Sequence, residues 1–223
     1  ISISWIMTTG IKAVIYDMDG LIIDSEPLWK IAEIESFQEI GFDFTVEMCA
    51  LTTGMRIDQV VNYWWKQLKW DKCSQEDVVY AIEDKMVKLI ISNGEILPGV
   101  LNSLKLLSSL NIPIALASSS SMKLINTTLE TLKIKDYFKV IHSAEDEVAG
   151  KPDPAVFLTS ANKLKINPEN CLVLEDSKAG MMAGLAAKMR TVVIPEKGSH
   201  PKWAKKSFKI LESLKDFKLN LLN

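Results

Sequence analysis

Short apolar runs that each break off into polar residues recur along this chain, separated by stretches with helical spacing. Residues 11–16 read Ile-Lys-Ala-Val-Ile-Tyr and stop at Asp17-Met18-Asp19-Gly20. Residues 112–117 form a second run and stop at Ser118-Ser119-Ser120-Ser121; further runs lie at 138–142, 172–174 and 191–194. Runs this short, rich in β-branched residues, read as buried strands. Between them lie helical patterns over 97–110, 124–132, 154–164 and 179–187, with Pro154 where an opening helix tolerates proline. Strands alternating with helices imply right-handed βαβ units and a parallel sheet. The expected fold is α/β, with a Rossmann-like doubly wound parallel sheet as its core.

The stretch between the first two strands breaks this rhythm. Ile31, Ile34, Phe37 and Ile40 have helical spacing, and Gly41 is placed to stop that helix. Ile57, Val60, Val61 and Trp64 form one stripe; Val78, Ile82, Met86, Leu89 and Ile90 form another. With no strand-like alternation, this block is too long for a simple crossover. It reads as an inserted small all-helical cap over 25–94, with the catalytic core made of 8–24 and 95–223. Trp64 and Trp65 cannot both face inward from one helix, so one is expected inside the cap and the other is a candidate for the cleft.

Bulk properties exclude several function classes. The formal net charge is -2, which gives no general attraction for polyanions, and nucleic acid is not an expected partner. The Lys-rich tail over 202–218 is interrupted by apolar residues, Glu212 and Asp216, and reads as a solvated helix face or rim. No long uninterrupted apolar segment argues for a membrane span, and no charged n-region argues for a signal peptide. Residues 1–9 read as an extended tail. Cys49, Cys73 and Cys171 match neither a zinc spacing nor a disulfide framework, and a reducing cytoplasm is the expected location. Oligomeric state stays open, with a monomer the favoured reading.

In an open parallel sheet, ligands bind beyond the carboxyl ends of the strands. Here those ends deliver Asp17 and Asp19, Ser118, Lys151 from the loop after the third strand, and Glu175 with Asp176. Carboxylates gathered at one edge repel unless a cation sits among them, and hard oxygen ligands suit Mg²⁺. A carboxylate can attack phosphorus, a second can move the leaving-group proton, and an ammonium and a hydroxyl can hold phosphoryl oxygens.

The segment Asp17-Met18-Asp19-Gly20-Leu21-Ile22-Ile23-Asp24-Ser25-Glu26 resembles the first motif of the haloacid dehalogenase superfamily, phosphatase branch. Leu116-Ala117-Ser118-Ser119-Ser120 resembles its second motif, Gly150-Lys151-Pro152-Asp153-Pro154 its third, and Leu174-Glu175-Asp176-Ser177 with Gly180 its fourth. All four occur in order, each at an expected strand end, and the insert resembles the family's helical cap. The resemblance implies Asp17 as nucleophile and Mg²⁺ ligand, and Asp19 as general acid/base that also binds the metal through its backbone carbonyl. Ser118 and Lys151 would bind phosphate, and Asp176 would ligate the metal with Glu175 in support. Dehalogenases proper lack the second aspartate, so Asp19 favours phosphoryl transfer.

Within that superfamily the chain is similar to the β-phosphoglucomutases and the hexitol or 2-deoxyglucose-6-phosphate phosphatases. Asp24-Ser25-Glu26-Pro27-Leu28-Trp29, Thr53-Gly54-Met55-Arg56-Ile57-Asp58 and Trp64-Trp65 look closer to the sugar phosphatases. Mutases usually carry His where Trp29 stands and a Lys where this chain has Ser120, Ser121 or Met122. The expected partner is a small phosphorylated metabolite, a sugar or sugar-alcohol phosphate, with Trp29 and Arg56 as candidate specificity residues. Arg56 reads equally as a surface cation and Trp29 equally as hinge packing. His142 and His200 read as structural, and Ser119, Ser120 and Ser121 as capping or solvent contacts. A phospho-receiver module is disfavoured by the insert and by Asp19 following Asp17. A catalytically dead binding protein is disfavoured by the intact set of Asp17, Asp19, Lys151 and Asp176.

Overall fold

The computed structural model describes residues 10–223, so the tail expected over 1–9 lies outside the described residues, as do positions 8 and 9 of the expected core. Six strands form one sheet: β1 (Ala13–Tyr16), β2 (Ile114–Ser118), β3 (Val140–Ser143), β4 (Cys171–Glu175), β5 (Arg190–Val193) and β6 (Lys209–Ile210). Their order is β3-β2-β1-β4-β5-β6, and every pairing is parallel. Between them run α5 (Val100–Ser109), α6 (Met122–Thr131), α7 (Ala155–Leu164) and α8 (Lys178–Ala186).

Both faces of the sheet are covered, which is why its strands read as near-continuous apolar runs. Side chains alternate along a strand. Val14, Tyr16, Leu116, Leu172 and Leu174 therefore pack on the face that holds Leu104 and Leu107 of α5 and Leu124 and Ile125 of α6. Ala13, Ile15, Ala115, Ala117 and Val173 pack on the other, against Phe157 and Ala161 of α7 and Ala183 of α8. The buried Tyr16 hydroxyl donates to Ser103 Oγ at 2.8 Å, so its polar end is satisfied.

The block between β1 and α5 is helical: α1 (Glu26–Glu39), α2 (Val46–Thr52), α3 (Ile57–Leu68) and α4 (Gln75–Asn93). A reciprocal capping box between Ser74 and Asp77 starts α4, and the Thr45 side chain caps α2. The block has its own aromatic centre. Phe37 stacks on Phe44 with centroids 4.2 Å apart, and Trp64 and Trp70 meet these rings edge-on. Trp64 is buried there, while the indole of Trp65 donates to the Trp70 carbonyl at 3.2 Å. Neither lines the cleft described below, so the candidate role for one of them there is not met.

Two further expectations differ from the structure. The inward face of α1 is Leu28, Ala32, Glu33, Ser36 and Phe37, whereas Ile31 is 42% exposed. The Lys-rich tail is not a helix face but the solvated rim: it folds as a short turn of 3₁₀ helix, Lys202–Lys206, followed by β6, with its lysines exposed. Backbone bonds from Phe208 N–H to the Thr191 carbonyl and from Leu211 N–H to the Val193 carbonyl attach this segment to the sheet edge. A two-residue strand carries no periodicity for a sequence reading to find. No helix among the described residues is long and apolar enough to cross a membrane.

Candidate active site

β1 lies at the centre of the sheet, with β2 on one side and β4 on the other, so the chain leaves β1 where the strand order diverges. Such a switch point leaves a crevice at the carboxyl ends. Tyr16 pairs in register with Leu116 and with Leu174. One residue further, Asp17, Ala117 and Glu175 therefore stand at the same level of three adjacent strands.

Lys151 ties that level together. Its Nζ donates to Asp17 Oδ1 at 2.5 Å, Glu175 Oε1 at 2.6 Å and the Ala117 carbonyl at 3.1 Å. All three ammonium donors are used, and the group is 3% exposed. Burial alone would lower its pKa, but Asp17 and Glu175 hold it above the ordinary lysine range. Glu175 Oε2 accepts from the backbone N–H groups of Asp176 and Ser177 and from Ser177 Oγ. With both oxygens committed, Glu175 orients its neighbours rather than standing free. Gly180 makes room for it, since a Cβ there would collide with the Glu175 carboxylate.

Asp17 is 6% exposed. Burial pushes its carboxyl up to about 8, against the pull of Lys151 and with added repulsion from Glu175 and Asp19. Asp176 is likewise raised, by burial first and then by Glu175 and Asp17. One carboxylate oxygen each from Asp17, Glu175 and Asp176 lie within 4.8 Å of one another. One lysine facing three carboxylates leaves negative charge in excess, and hard oxygen donors at this spacing fit a divalent cation such as Mg²⁺. Gly20, at φ +76°, carries the chain past Asp176 where any side chain would strike that carboxylate.

Asp19 is held separately. Its Oδ1 accepts from Ser25 Oγ at 2.7 Å and from the Trp29 indole at 3.0 Å. Its Oδ2 accepts from Ser120 Oγ at 2.7 Å, with Ser118 Oγ at 3.5 Å. Ser118 is fully buried as the last residue of β2, and its Oγ accepts the Ser120 N–H. Of the serines that follow β2, Ser119 and Ser120 line the cleft, beyond the capping or solvent contacts expected of them. Trp29 lines the cleft from α1, one helical face that also brings Glu26, Lys30 and Glu33 to it. Ser25 and Glu33 are functional candidates that the sequence does not single out, since the apolar spacing of α1 points to the face of Ile31 and Ile34 and the structure turns the Glu33 face inward.

Arg56 does not line the cleft. Its Nε and Nη2 donate to the Asp58 carboxylate at 2.6 and 2.8 Å, and its Nη1 donates to the carbonyls of Ala144 and Glu147 at 2.8 and 2.9 Å. It bridges the start of α3 to the segment after β3. Arg56→Ala is expected to cost about 1.5–3 kcal/mol in urea unfolding, the range for hydrogen bonds from a charged donor, and to speed amide exchange over 144–147. His142 is buried, with Nε2 2.6 Å from Glu147 Oε1 and Nδ1 3.0 Å from Lys163 Nζ.

Residues 14–194 match the family of haloacid dehalogenase-like hydrolases. The chain is 38% identical to hexitol phosphatase B of Escherichia coli over 186 residues, 83% of this chain and 84% of that one. The structure of β-phosphoglucomutase from Clostridium difficile aligns with a TM-score of 0.81 at 29% identity, covering 94% of each chain. The fold of CbbY from Rhodobacter sphaeroides, determined with phosphate, aligns with a TM-score of 0.85 at 24% identity over 95% of this chain and 99% of that one.

Proposed function

The chain belongs to the haloacid dehalogenase-like hydrolases, and from that premise we propose a Mg²⁺-dependent phosphatase that hydrolyses small phosphate monoesters, sugar or sugar-alcohol phosphates, through an aspartyl-phosphate on Asp17. The observation that carries this reading is the placement of Asp19. It sits two residues after Asp17, gripped by Ser25, Trp29 and Ser120 at the cleft, where a proton can be handed to a leaving oxygen. In this reading 8–24 and 95–223 are the catalytic core and 25–94 the cap that closes over it. The cytoplasm is its setting, where the free Cys49, Cys73 and Cys171 stay reduced.

Asp17 and Asp176, with the Asp19 carbonyl, would hold Mg²⁺, Glu175 supporting them; bound there, the ion supplies positive charge that eases the approach of a carboxylate to an anionic phosphoryl group. Lys151, together with Ser118 and the cleft serines, would hold phosphoryl oxygens. Asp17 attacks phosphorus, forming a P–O bond to its carboxylate as the ester P–O bond breaks. The proton of Asp19 passes to the departing oxygen. Asp19, now a carboxylate, takes a proton from water, whose oxygen attacks phosphorus and frees Asp17 and phosphate. Closure of the helical block excludes bulk water during the first step.

The β-phosphoglucomutase alternative uses the same chemistry but needs a second phosphate site. Of the nearby cap cations, Arg56 is engaged elsewhere and Lys30 pairs with Glu26 at 3.3 Å, which favours the phosphatase. The deciding assay measures phosphate released with Mg²⁺ from a panel of sugar and sugar-alcohol phosphates, beside conversion of β-glucose-1-phosphate to glucose-6-phosphate. Steady release from hexose or hexitol 6-phosphates with no isomer formed is expected. Isomer formation without phosphate release, primed by a bisphosphate, would establish the mutase instead.

A further inference from the structure

Glu33 lies one helical turn beyond Trp29 on α1 and lines the same cleft. The residue is 7% exposed, and its Oε2 is buried with no hydrogen-bond partner. The Cys49 thiol engages the carboxylate on one side, while a carboxylate offers about four acceptor positions. Burial pushes this carboxyl up to about 7. A buried acceptor left this short of donors destabilises the free protein, and the deficit is removed when a ligand brings donors of its own.

The surroundings say which donors. Ile57 and Val60 of α3 line the same cleft with apolar surface, suited to the carbon atoms of a substrate. The Trp29 indole, one turn back, is bonded to Asp19, so Glu33 stands about 6 Å along the helix axis from the residue that steadies the acid/base group. That offset matches hydroxyls several carbons removed from the ester oxygen. A second phosphate or a carboxylate at that end would bring further acceptors to a place already short of donors.

We propose that Glu33 is a specificity residue that accepts hydrogen bonds from the distal hydroxyls of a polyol phosphate. The assignment rests on the phosphatase reading and names its substrate class: neutral, hydroxyl-rich leaving groups, with bisphosphates and acid sugars rejected.

The test compares wild type, Glu33→Gln and Glu33→Leu on a hexitol 6-phosphate and on p-nitrophenyl phosphate, whose leaving group has no distal hydroxyls. The ratio of kcat/KM for the hexitol ester over the nitrophenyl ester is expected to fall roughly 10- to 100-fold in Glu33→Leu and less in Glu33→Gln, which keeps an acceptor oxygen. The melting temperature of ligand-free Glu33→Leu is expected to rise, because an unpartnered buried carboxylate is gone; a residue kept for packing would lower it. Should Glu33→Leu fail to fold, the ratio in Glu33→Gln decides. A ratio unchanged in both variants, even with both rates reduced, overturns the assignment of Glu33 and leaves the phosphatase standing. Wild-type protein that releases phosphate from neither ester overturns the phosphatase reading, and this assignment with it.

Discussion

Asp17→Asn is expected to abolish phosphate release while leaving the protein folded. The amide nearly matches the carboxylate in shape, so the contacts around β1 survive, but it is a poor nucleophile toward phosphorus. Removal of an enzyme's nucleophile lowers kcat by about 10⁴-fold or more, and that is the expected loss. The effect on stability has opposing parts. The bond to Lys151 weakens, yet a buried carboxyl already pushed up to about 8 by its surroundings is replaced by a neutral group. Repulsion with Glu175 and Asp19 also disappears, so urea unfolding should place Asp17→Asn close to wild type. A variant that stays folded and keeps a tenth or more of the wild-type rate would remove Asp17 from the nucleophile's role.

Lys151→Met should show the opposite balance, a large loss of stability together with a large loss of rate. Lys151 donates to Asp17, Glu175 and the Ala117 carbonyl from a fully enclosed position. Without it, buried carboxylates face one another uncompensated, and breaking a buried ion pair from one side costs about 3–5 kcal/mol. The pH dependence has a definite sign. Asp17 has a folded pKa above its unfolded one, so the stability linked to it is present at low pH and is lost as pH rises from about 4 through about 8. Removing Lys151 raises that carboxyl further; both folded forms hold its proton well below about pH 8, so the deficit should stay level near about pH 6 and widen as pH rises past about 8 toward about 9. Mg²⁺ at a hundredfold excess over its dissociation constant should return about 2.7 kcal/mol to whichever form binds it. Urea unfolding at the two pH values, with and without Mg²⁺, measures this. A deficit below about 1 kcal/mol at the higher pH would mean that the carboxylates do not depend on Lys151 for balance.

Much of the fold is legible without coordinates because it is written locally. Each core strand is a buried apolar run, and each run ends where polar residues begin, so the strand ends and the residues gathered there follow from short segments. The parallel sheet and the helices on both faces follow from the alternation of the two patterns. The neighbourhood of Asp17, Asp19, Glu175 and Asp176 is of this kind: they lie at the carboxyl ends of β1 and β4, whose register levels Asp17 with Glu175, and the loop after β3 brings Lys151 to them. Gly20 and Gly180 are legible as well, though only the structure gives their reason, the Asp176 and Glu175 carboxylates that occupy the space a Cβ would need.

What the sequence by itself determined is thus the α/β architecture, the helical insert and the set of groups at the carboxyl edge. Only the tertiary structure decided how the insert addresses them. It turned Arg56 away from the cleft onto the carbonyls of Ala144 and Glu147, set the Trp29 indole on Asp19, buried Trp64 with Phe44, and left Glu33 facing inward while Ile31 faces water. It put Ser120 rather than Ser118 in the shorter contact with Asp19 and paired β6 at the sheet edge. The reason is physical. A strand end is fixed by its own residues and its neighbours in the sheet. The direction of a side chain on an inserted helix depends on how that helix docks against segments distant in sequence, and no local pattern encodes that docking.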